Sequence, residues 1–175
     1  MIIKTLVENN STSEAYRSEH GLSLYIETNG HKILFDTGAS AAFTENAGKM
    51  GVDLREVDLA IVSHGHYDHG GGIKTFLNIN DKAKVYIKEN AFRKHYAAGT
   101  SGQKTYIGLD QALLPNERFV FVGEGLVIDD ELELFSEVKS ERLNPSGNRD
   151  LLMEIDGVMV PDDFAHEQNL IIEEG

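Results

Sequence analysis

Four side chains that can bind metal ions or carry protons lie within six residues of one another. They are His64, His66, Asp68 and His69, and they follow a mostly apolar segment, residues 57–63. At the end of a strand, residues two apart point the same way, so His64 and His66 can hold one ion from one side. Where the backbone then turns, Asp68 and His69 can face a second ion beside the first.

The crowding of these groups favours a metal site over a purely structural role. A single histidine is usually a surface residue or a satisfied core residue. Three imidazoles and a carboxylate together would repel when protonated and gain little when neutral, and a bound metal removes that cost. Glycines at positions 65, 70, 71 and 72 are expected to let the backbone bend and to leave room for an ion and a substrate. The chain has no cysteine, so its metal ligands must be histidines and carboxylates.

The segments around this motif predict layers of helix on sheet. Residues 22–28 and 31–36 are β-rich and flank Asn29-Gly30, which is a strong hairpin signal. Alternating strands and helices followed by several strands are typical of an α/β protein with a mixed sheet. Further strands are predicted at 1–7, 57–63, 84–88, 118–122, 126–128, 131–135, 151–155, 158–160 and 170–172. Helices are predicted at 39–50, 73–77 and 90–97, and loops at 99–108 and 144–149.

The net charge argues against two classes of partner. Lys and Arg number 16 and Asp and Glu number 29, which gives a formal charge of −13. Such a chain repels phosphate backbones and anionic lipid surfaces. No apolar run approaches the roughly 20 residues of a membrane span, and residues 1–7 are more typical of a strand than of a signal peptide. We therefore expect a cytoplasmic protein that acts on a small-molecule substrate, with neither nucleic acid nor membrane as a partner.

Histidines outside the motif give weaker signals. His20 is expected to be exposed, with a position lining a pocket as the alternative. His31 is expected at the surface, in the hairpin turn. His95 is predicted on a solvated helix face, and contact with an anionic group of the substrate is the alternative.

The motif resembles the signature of the metallo-β-lactamase superfamily. Residues 64–72, His-Gly-His-Tyr-Asp-His-Gly-Gly-Gly, carry the resemblance, and residues 33–38 are similar to the strand and Asp-x-Gly that precede that signature. Residues 57–63 resemble the strand that delivers the ligands. Residues 20–24 and 160–170 resemble one branch, the ribofuranosylaminobenzene-phosphate (dihydropterin) synthase-like proteins. The resemblance implies a four-layer αβ/βα sandwich with mixed sheets and with the metals at one edge of two sheets.

The resemblance also implies which residues bind metal. His64, His66 and His166 would hold a first ion, and Asp68 and His69 would hold a second. Zinc is the ion expected for a histidine-rich site, and manganese and iron also suit histidine and carboxylate ligands.

Two acidic positions are expected to support these ligands. The resemblance places Asp36 behind the site, where it would orient a ligand or the loop through hydrogen bonds. Asp162 and Asp163 lie close to His166 in the sequence. We predict Asp163 as the supporting carboxylate, and a carboxylate that merely caps a turn is an equally good interpretation.

Two hypotheses about function follow. In the first, the protein is a metal-dependent hydrolase in which a metal-activated hydroxide attacks an ester, lactone, amide or phosphoester, with Asp68 as both ligand and proton acceptor. In the second, it is a truncated metal-binding domain without turnover, which acts as a binding module or needs a partner chain to complete its site. The net charge argues against a nuclease. A two-iron redox role would need more acidic ligands and an attached flavin domain.

The chain is short for the superfamily that it resembles. Full members continue beyond the third metal-binding histidine with another strand and further ligands. We therefore expect residues 1–175 to form a single, incomplete domain whose C-terminal part is missing. Exposed sheet edges in such a domain could drive association, so a homo-oligomer is expected.

Overall fold

A computed structural model of the protein describes residues 1–99, 101–138 and 145–174. The regular elements within these ranges are, in chain order, β1 (Ile2–Val7), β2 (Ser23–Glu27), β3 (Lys32–Phe35), α1 (Ala42–Lys49), β4 (Leu59–Val62), α2 (Tyr67–Gly70), α3 (Ile73–Ile79), β5 (Lys84–Lys88), β6 (His95–Ala98), β7 (Lys104–Tyr106), β8 (Phe119–Val122), β9 (Gly125–Val127), β10 (Leu132–Phe135), β11 (Leu151–Ile155), β12 (Val158–Pro161) and β13 (Asn169–Ile172). Short 3-10 turns lie at Leu54–Glu56, Glu89–Phe92, Gln111–Leu113 and Ser146–Asp150.

Six strands form the central sheet, in the order β1-β2-β3-β4-β5-β8. The first three pair antiparallel, and β3, β4, β5 and β8 pair parallel. The predicted hairpin at Asn29-Gly30 is confirmed, because β2 and β3 pair on either side of it. Every residue of β4 is buried, as expected for a parallel strand that is covered on both faces.

Both faces of the central sheet are covered. Ile33 and Leu34 are neighbours in β3, so their side chains point to opposite faces of the sheet. Leu34 packs in one cluster with Phe43 of α1 and Phe76 of α3. Ile33 packs in a second cluster with Leu134 of β10, which belongs to the three-stranded sheet β13-β10-β9. The helix–sheet–sheet layering confirms the predicted mixed α/β sandwich.

A further antiparallel sheet, β12-β11-β6-β7, connects to the motif. In this sheet His95 of β6 lies opposite Met153 of β11. Next to it, the N–H of Tyr67 donates to the carbonyl of Ile107 at 2.8 Å, and His66 forms an isolated bridge with Gly108. This sheet therefore places residues of β6 against the segment that carries the histidine motif.

Two predicted elements differ from the structure in this region. Residues 90–97 were expected to be helical but form a 3-10 turn followed by β6, and the predicted loop at 99–108 contains β7. Alanines 91, 97 and 98 favour a helix locally, yet pairing with β11 and β7 supplies the hydrogen bonds of β6. Thr100, within the predicted loop, lies outside the described residues.

The remaining elements agree with the predicted boundaries to within three residues. The predicted loop at 144–149 is exposed at residues 145–147 and 149, with a 3-10 turn from Ser146, and Asn144 lies outside the described residues. The longest α-helix of the described ranges, α1, has eight residues. None of the helices in these ranges has the length and apolar character needed to cross a membrane.

Candidate metal centre

The histidine motif lies where two parallel strands of the central sheet end. Because β3 and β4 run parallel, their carboxyl ends meet at the same edge, where ligands commonly bind in such sheets. Asp36 directly follows β3, and Ser63 and His64 directly follow β4. The N–H of Asp36 donates to the carbonyl of Ile61 at 2.8 Å and continues the pairing to this edge.

Asp36 is fully buried and is the anchor of this edge. One carboxylate oxygen accepts the Ser63 N–H, and the other accepts the Ser63 hydroxyl and meets His69 Nδ1, each at 2.7 Å. Burial raises the pKa of Asp36, although the hydrogen bonds with His69 and Ser63 oppose that effect. Its backbone is left-handed, with φ 59°, which Asp tolerates better than most residues and which firm neighbouring contacts must hold. These are the contacts that the predicted orienting role requires.

The hydrogen bonds of Ser63 and Asp36 determine which nitrogens of two histidines stay free. The Ser63 hydroxyl donates its single proton to Asp36, so it accepts from Nδ1–H of His64 at 2.9 Å. The Nδ1–H of His69 donates to Asp36. Each ring therefore keeps a lone pair on Nε2. A carboxylate behind a histidine in this way fixes the tautomer and increases the basicity of the ligand nitrogen.

His64, Asp68 and His69 form the first of two groups with metal-binding geometry, and we call them the open group. One ligand atom from each lies within 4.8 Å of the others, and His69 Nε2 is 3.5 Å from Asp68 Oδ2. The Asp68 and His69 side chains are 14% and 20% exposed. His20 lies at the rim of the open group. Its side chain is 73% exposed, and its Nε2 is 3.4 Å from Asp68 Oδ2. His20 is therefore exposed, as expected, and also lies next to the site, which was the alternative.

The protonation of the open group suits metal binding at His64. Burial, together with the neighbouring imidazoles, lowers the pKa of His64 to about 2. The ring is therefore neutral at pH 7, and the neutral form is the one that binds a metal. Burial also disfavours the charged form of His69, but the hydrogen bond with Asp36 outweighs it and leaves the pKa of His69 raised. A proton and an ion therefore compete for His69.

The second group consists of His66, His95, Asp162 and His166, and we call it the closed group because all four residues are buried. Asp162 lies at its centre. Its Oδ2 is 3.0 Å from His95 Nδ1 and 3.4 Å from His66 Nε2, and its Oδ1 is 3.2 Å from His166 Nε2. Burial alone would raise the pKa of Asp162, but its interactions with the three imidazoles hold that pKa well below its usual range.

The turn between β12 and β13 delivers Asp162 and His166 to the closed group. Within it, the N–H of Phe164 donates to Asp162 Oδ1 at 2.9 Å. Phe164 has φ 56°, which is rare for a bulky residue and is retained where contacts on both sides fix the chain. Gln168 then joins the turn to the central sheet, because its N–H donates to the Ser63 carbonyl and its side-chain amide to the Val62 carbonyl, each at 2.8 Å.

The chain bends at Gly65 and turns at Gly71 and Gly72, as expected, and the motif glycines also permit close packing. Gly65, Gly70, Gly71 and Gly72 all have negative φ angles. A Cβ on Gly65 would lie 2.3 Å from the carbonyl oxygen of Ala91, and one on Gly72 would lie 2.4 Å from that of Thr37. Backbone atoms therefore occupy the space that a side chain at Gly65 or Gly72 would need.

The structure brings the five predicted ligands into one region but groups them differently from the prediction. The ring centroid of His166 is 4.9 Å from that of His66 and 5.9 Å from that of His64. His66 and His166 nevertheless face Asp162 and His95, whereas His64 faces Asp68 and His69. Which of these residues ligate a metal stays a prediction.

Sequence reasoning missed His95. The prediction of a solvated helix face is wrong, since His95 is fully buried at the start of β6. The β-forming Tyr96 beside it was a weak signal for a strand. His31, expected at the surface, is partly exposed and lies 2.9 Å from Asp129.

Asp162 occupies the position predicted for Asp163. The Asp163 side chain is exposed, and its Oδ1 accepts the N–H of Ala165 at 2.9 Å, which is the turn-capping interpretation. Asp162, one residue earlier, faces the histidines. Two adjacent carboxylates carry the same local signal, and the fold decides which of them points inward.

A comparison with protein families identifies the class of protein. Residues 17–148 match the family model of the metallo-beta-lactamase superfamily. The chain belongs to this superfamily, whose members are generally metal-dependent hydrolases. The predicted resemblance is therefore confirmed.

Individual relatives agree with this assignment. The chain is similar to the crystal structure of Tm1679, a metal-dependent hydrolase of the beta-lactamase superfamily. The two sequences are 31% identical, the TM-score is 0.77, and the match covers 97% of this chain and 60% of Tm1679. MJ0448 of Methanocaldococcus jannaschii is 33% identical over 114 residues. The 7,8-dihydropterin-6-methyl-4-(beta-D-ribofuranosyl)-aminobenzene-5'-phosphate synthase of the same organism is 34% identical over 102 residues. The matches cover 64% and 54% of this chain, and 42% and 35% of these two relatives.

Proposed function

We propose that this protein is a metal-dependent hydrolase that cleaves a small ester, lactone, amide or phosphoester. The observation that carries the proposal is the open group. Two histidines with free Nε2 atoms and one carboxylate lie within 4.8 Å of one another, and all three residues are partly exposed. Membership of a superfamily of metal-dependent hydrolases supports the same reaction class.

The donor atoms of the open group fit a divalent ion. Imidazole nitrogen and carboxylate oxygen are ligands that zinc accepts, and manganese and iron also use them. We expect zinc. Such an ion, when bound, supplies Lewis acidity that lowers the pKa of water towards neutrality and offsets negative charge on the substrate oxygen.

The residues around the ligands have separate tasks in this proposal. Asp36 holds His69 in one orientation through the 2.7 Å contact with Nδ1. Asp68 is placed to accept a proton from the attacking water, because its carboxylate is partly exposed at the mouth of the group. His20 Nε2, 3.4 Å from Asp68, can pass that proton to solvent.

Hydrolysis by the zinc-loaded protein tests the proposal. The substrates are chromogenic esters, lactones, amides and phosphodiesters, with free zinc as the background. We expect hydrolysis of at least one class, and we expect Asp68→Asn to lower its rate by about 10³-fold, since general base catalysis contributes about 10²- to 10⁴-fold. The matched control is His31→Asn. His31 lies in the β2–β3 turn, and its Nε2 is 2.9 Å from Asp129 Oδ2.

Two results would contradict the proposal. One is a rate no higher than that of free zinc with every substrate class. The other is an Asp68→Asn variant that turns over like the unchanged protein. Zinc binding without turnover would instead favour the binding-module hypothesis.

A further inference from the structure

A polar cavity lies between the two facing sheets, where their apolar contacts end. Tyr86 of β5 and Leu134 of β10 pack in the cluster between the sheets. Lys88 and Ser136 lie two positions further along the same two segments, so they continue the same faces. Both residues line a cavity of about 390 Å³. This volume falls within the range of about 300–1,000 Å³ that small-molecule sites occupy.

Lys88, at the end of β5, is a buried cation without an ion-pair partner. The residue is 8% exposed, and its ammonium group donates to the carbonyl of Gly123, which follows β8. Among the described residues it makes no ion pair. Lysine is almost never buried unless it is paired, and its ammonium group has three donors. Lys88 therefore has both a charge and donors available for an anionic ligand.

Ser136 provides a second available donor. Its hydroxyl oxygen is buried and has no hydrogen-bond partner among the described residues. Buried polar atoms are almost always paired, so this hydroxyl calls for an explanation. Because serine rotates among staggered positions about its Cα–Cβ bond, a ligand can draw the hydroxyl into the cavity. A cation and a hydroxyl that line one cavity and both have donors available are suited to an oxygen anion.

The acidic residues of the cavity restrict the charge of that anion. Glu137, Asp163 and Glu167 also line it, and all three are exposed. Their carboxylates repel negative charge, and the repulsion grows with the charge of the ligand. A phosphate monoester carries close to two negative charges at pH 7. A carboxylate carries one, which the single charge of Lys88 balances, so a carboxylate fits the cavity better.

The cavity lies beside the open group. In the parallel pair β4–β5, Val62 is opposite Ile87. The next positions, Ser63 and Lys88, are therefore about one strand spacing apart, about 4.8 Å between backbones. The Ser63 hydroxyl in turn contacts His64 of the open group. A small molecule with one end at Lys88 can therefore reach the open group with the other.

We propose that Lys88 and Ser136 form a subsite for a carboxylate of the substrate, so that the protein acts on small esters, lactones or amides that carry a carboxylate. The ammonium group of Lys88 would pair with the carboxylate, and the Ser136 hydroxyl would donate to it. The inference rests on the proposed function for the reaction, but binding of a carboxylate at this subsite does not depend on turnover.

A pair of lysine variants isolates the charge. Lys88→Met removes the charge and keeps much of the length of the side chain. Lys84→Met is the matched control, because Lys84 begins the same strand, is exposed, and also donates to a backbone carbonyl, that of Glu117. The probes are benzoate and its uncharged analogue benzamide. Titration of the ¹⁵N-labelled, zinc-loaded full chain, followed by NMR, gives both the affinity and the place of binding.

We expect benzoate to bind more tightly than benzamide and to shift the amide signals of Lys88 and Ser136. Hydrogen bonds to charged groups are the stronger ones, so Lys88→Met should weaken benzoate binding by about 10- to 100-fold. Ser136→Ala should weaken it by about 3- to 10-fold. Lys84→Met should leave the affinity unchanged, and Lys88→Arg should retain most of it because the charge remains.

Several results would overturn the subsite. They are equal affinities for benzoate and benzamide, tighter binding of phenyl phosphate than of benzoate, and unchanged benzoate binding in Lys88→Met. The last result would mean that the carboxylate binds the zinc ion and that Lys88 only holds the end of β8. If Lys88→Met fails to fold, the unchanged protein and Ser136→Ala decide. No benzoate-induced shift at Lys88 or Ser136, or full affinity in Ser136→Ala, would then overturn the subsite.

The subsite and the hydrolase proposal fail separately. Benzoate binding that depends on Lys88, in a protein that hydrolyses nothing, would contradict the proposed function and leave the subsite intact. If the protein does hydrolyse esters, we expect a carboxylated ester to have a lower KM than its uncharged counterpart. Lys88→Met should then raise that KM more than it lowers kcat, since the lysine contacts a part of the substrate that does not react. Equal KM values for the two esters would contradict the subsite alone.

Discussion

The open and closed groups use the same kinds of side chain in opposite surroundings. In the open group, Asp36 lies behind the ligands and fixes His69 from the back, which leaves Nε2 towards a partly exposed space. In the closed group, Asp162 lies among the imidazoles and all four residues are buried. A carboxylate behind a histidine orients the ring and leaves its other nitrogen free, whereas the oxygens of Asp162 contact the imidazoles themselves.

The two groups also differ in how much of the fold they need. The open group comes from one short segment after β4, and Asp36, at the end of the neighbouring strand β3, supports it. The closed group needs β6 and the turn after β12 to be in place. His66 of the closed group lies in the same segment as the open group, so the predictions below are directed at residues that contact only the open group.

Gly21→Ala should have the largest effect, and it should fall on the open group. Gly21 has φ 134°, and a Cβ there would lie 2.0 Å from the carbonyl oxygen of Asp68. We expect the free energy of unfolding to fall by about 3 to 4 kcal/mol, since backbone strain and a backbone clash add. Urea denaturation measures this.

Gly51→Ala is the matched control for that experiment. Gly51 also has a positive φ, 68°, but a Cβ there meets nothing within 4 Å. Strain alone predicts a loss of about 1 to 2 kcal/mol. Equal losses in the two variants would mean that the contact between Gly21 and Asp68 is unimportant.

Asp36→Asn should weaken zinc binding at the open group by about 10- to 100-fold. The change removes a buried charge that meets Ser63 and His69. We also expect a loss of about 2 to 3 kcal/mol in stability. Zinc titration by calorimetry measures the affinity.

A surface carboxylate provides the control for Asp36→Asn. Asp53 is exposed and pairs with Arg55, so Asp53→Asn should leave the zinc affinity unchanged. An unchanged zinc affinity in Asp36→Asn would show that its contact with His69 does not orient a metal ligand.

Acid should destabilise the metal-free protein through His64. Its pKa falls from the ordinary 6.5 to about 2 on folding. Below pH 6.5 the unfolded chain therefore takes up a proton that the folded chain does not, and stability falls as the pH falls. The slope due to His64 approaches about 1.4 kcal/mol per pH unit. His69, whose pKa is raised, acts in the opposite direction.

Urea denaturation between pH 7 and pH 5 measures the slope. His64→Gln should flatten it by about that amount per pH unit. Identical slopes with and without the substitution would show that His64 is not held neutral in the folded protein.

His20→Gln should have the smallest effect. The side chain is 73% exposed and touches only the rim of the open group, so stability should change by less than about 0.5 kcal/mol. We expect the hydrolysis rate to fall by about 3-fold or less at neutral pH, because solvent can replace an exposed proton carrier. A fall comparable to that of Asp68→Asn would place His20 in the chemistry.

The predictable parts of the site are those whose residues lie close together in the sequence. His64, Asp68 and His69 follow β4 within a few positions, and the burial of that strand is readable from its apolar run. Asp36 was predictable because β3 ends beside β4 and resembles the family pattern. The strands themselves followed from β-rich runs and hairpin signals such as Asn29-Gly30.

The rest of the site depends on contacts between distant segments. His95 was misplaced because alanines near it favour a helix, whereas pairing with Met153 in β11 makes it a strand. Asp162 and Asp163 are indistinguishable locally, and the contact of Asp162 with His95 joins residues 67 positions apart. No periodicity in the sequence reports such a contact.

The position of bound zinc tests the proposed metal centre most directly. An anomalous difference map at the zinc edge, from crystals of the zinc-loaded protein, would show it. The account predicts a peak between His64, Asp68 and His69. A map without a peak next to these three residues would contradict it.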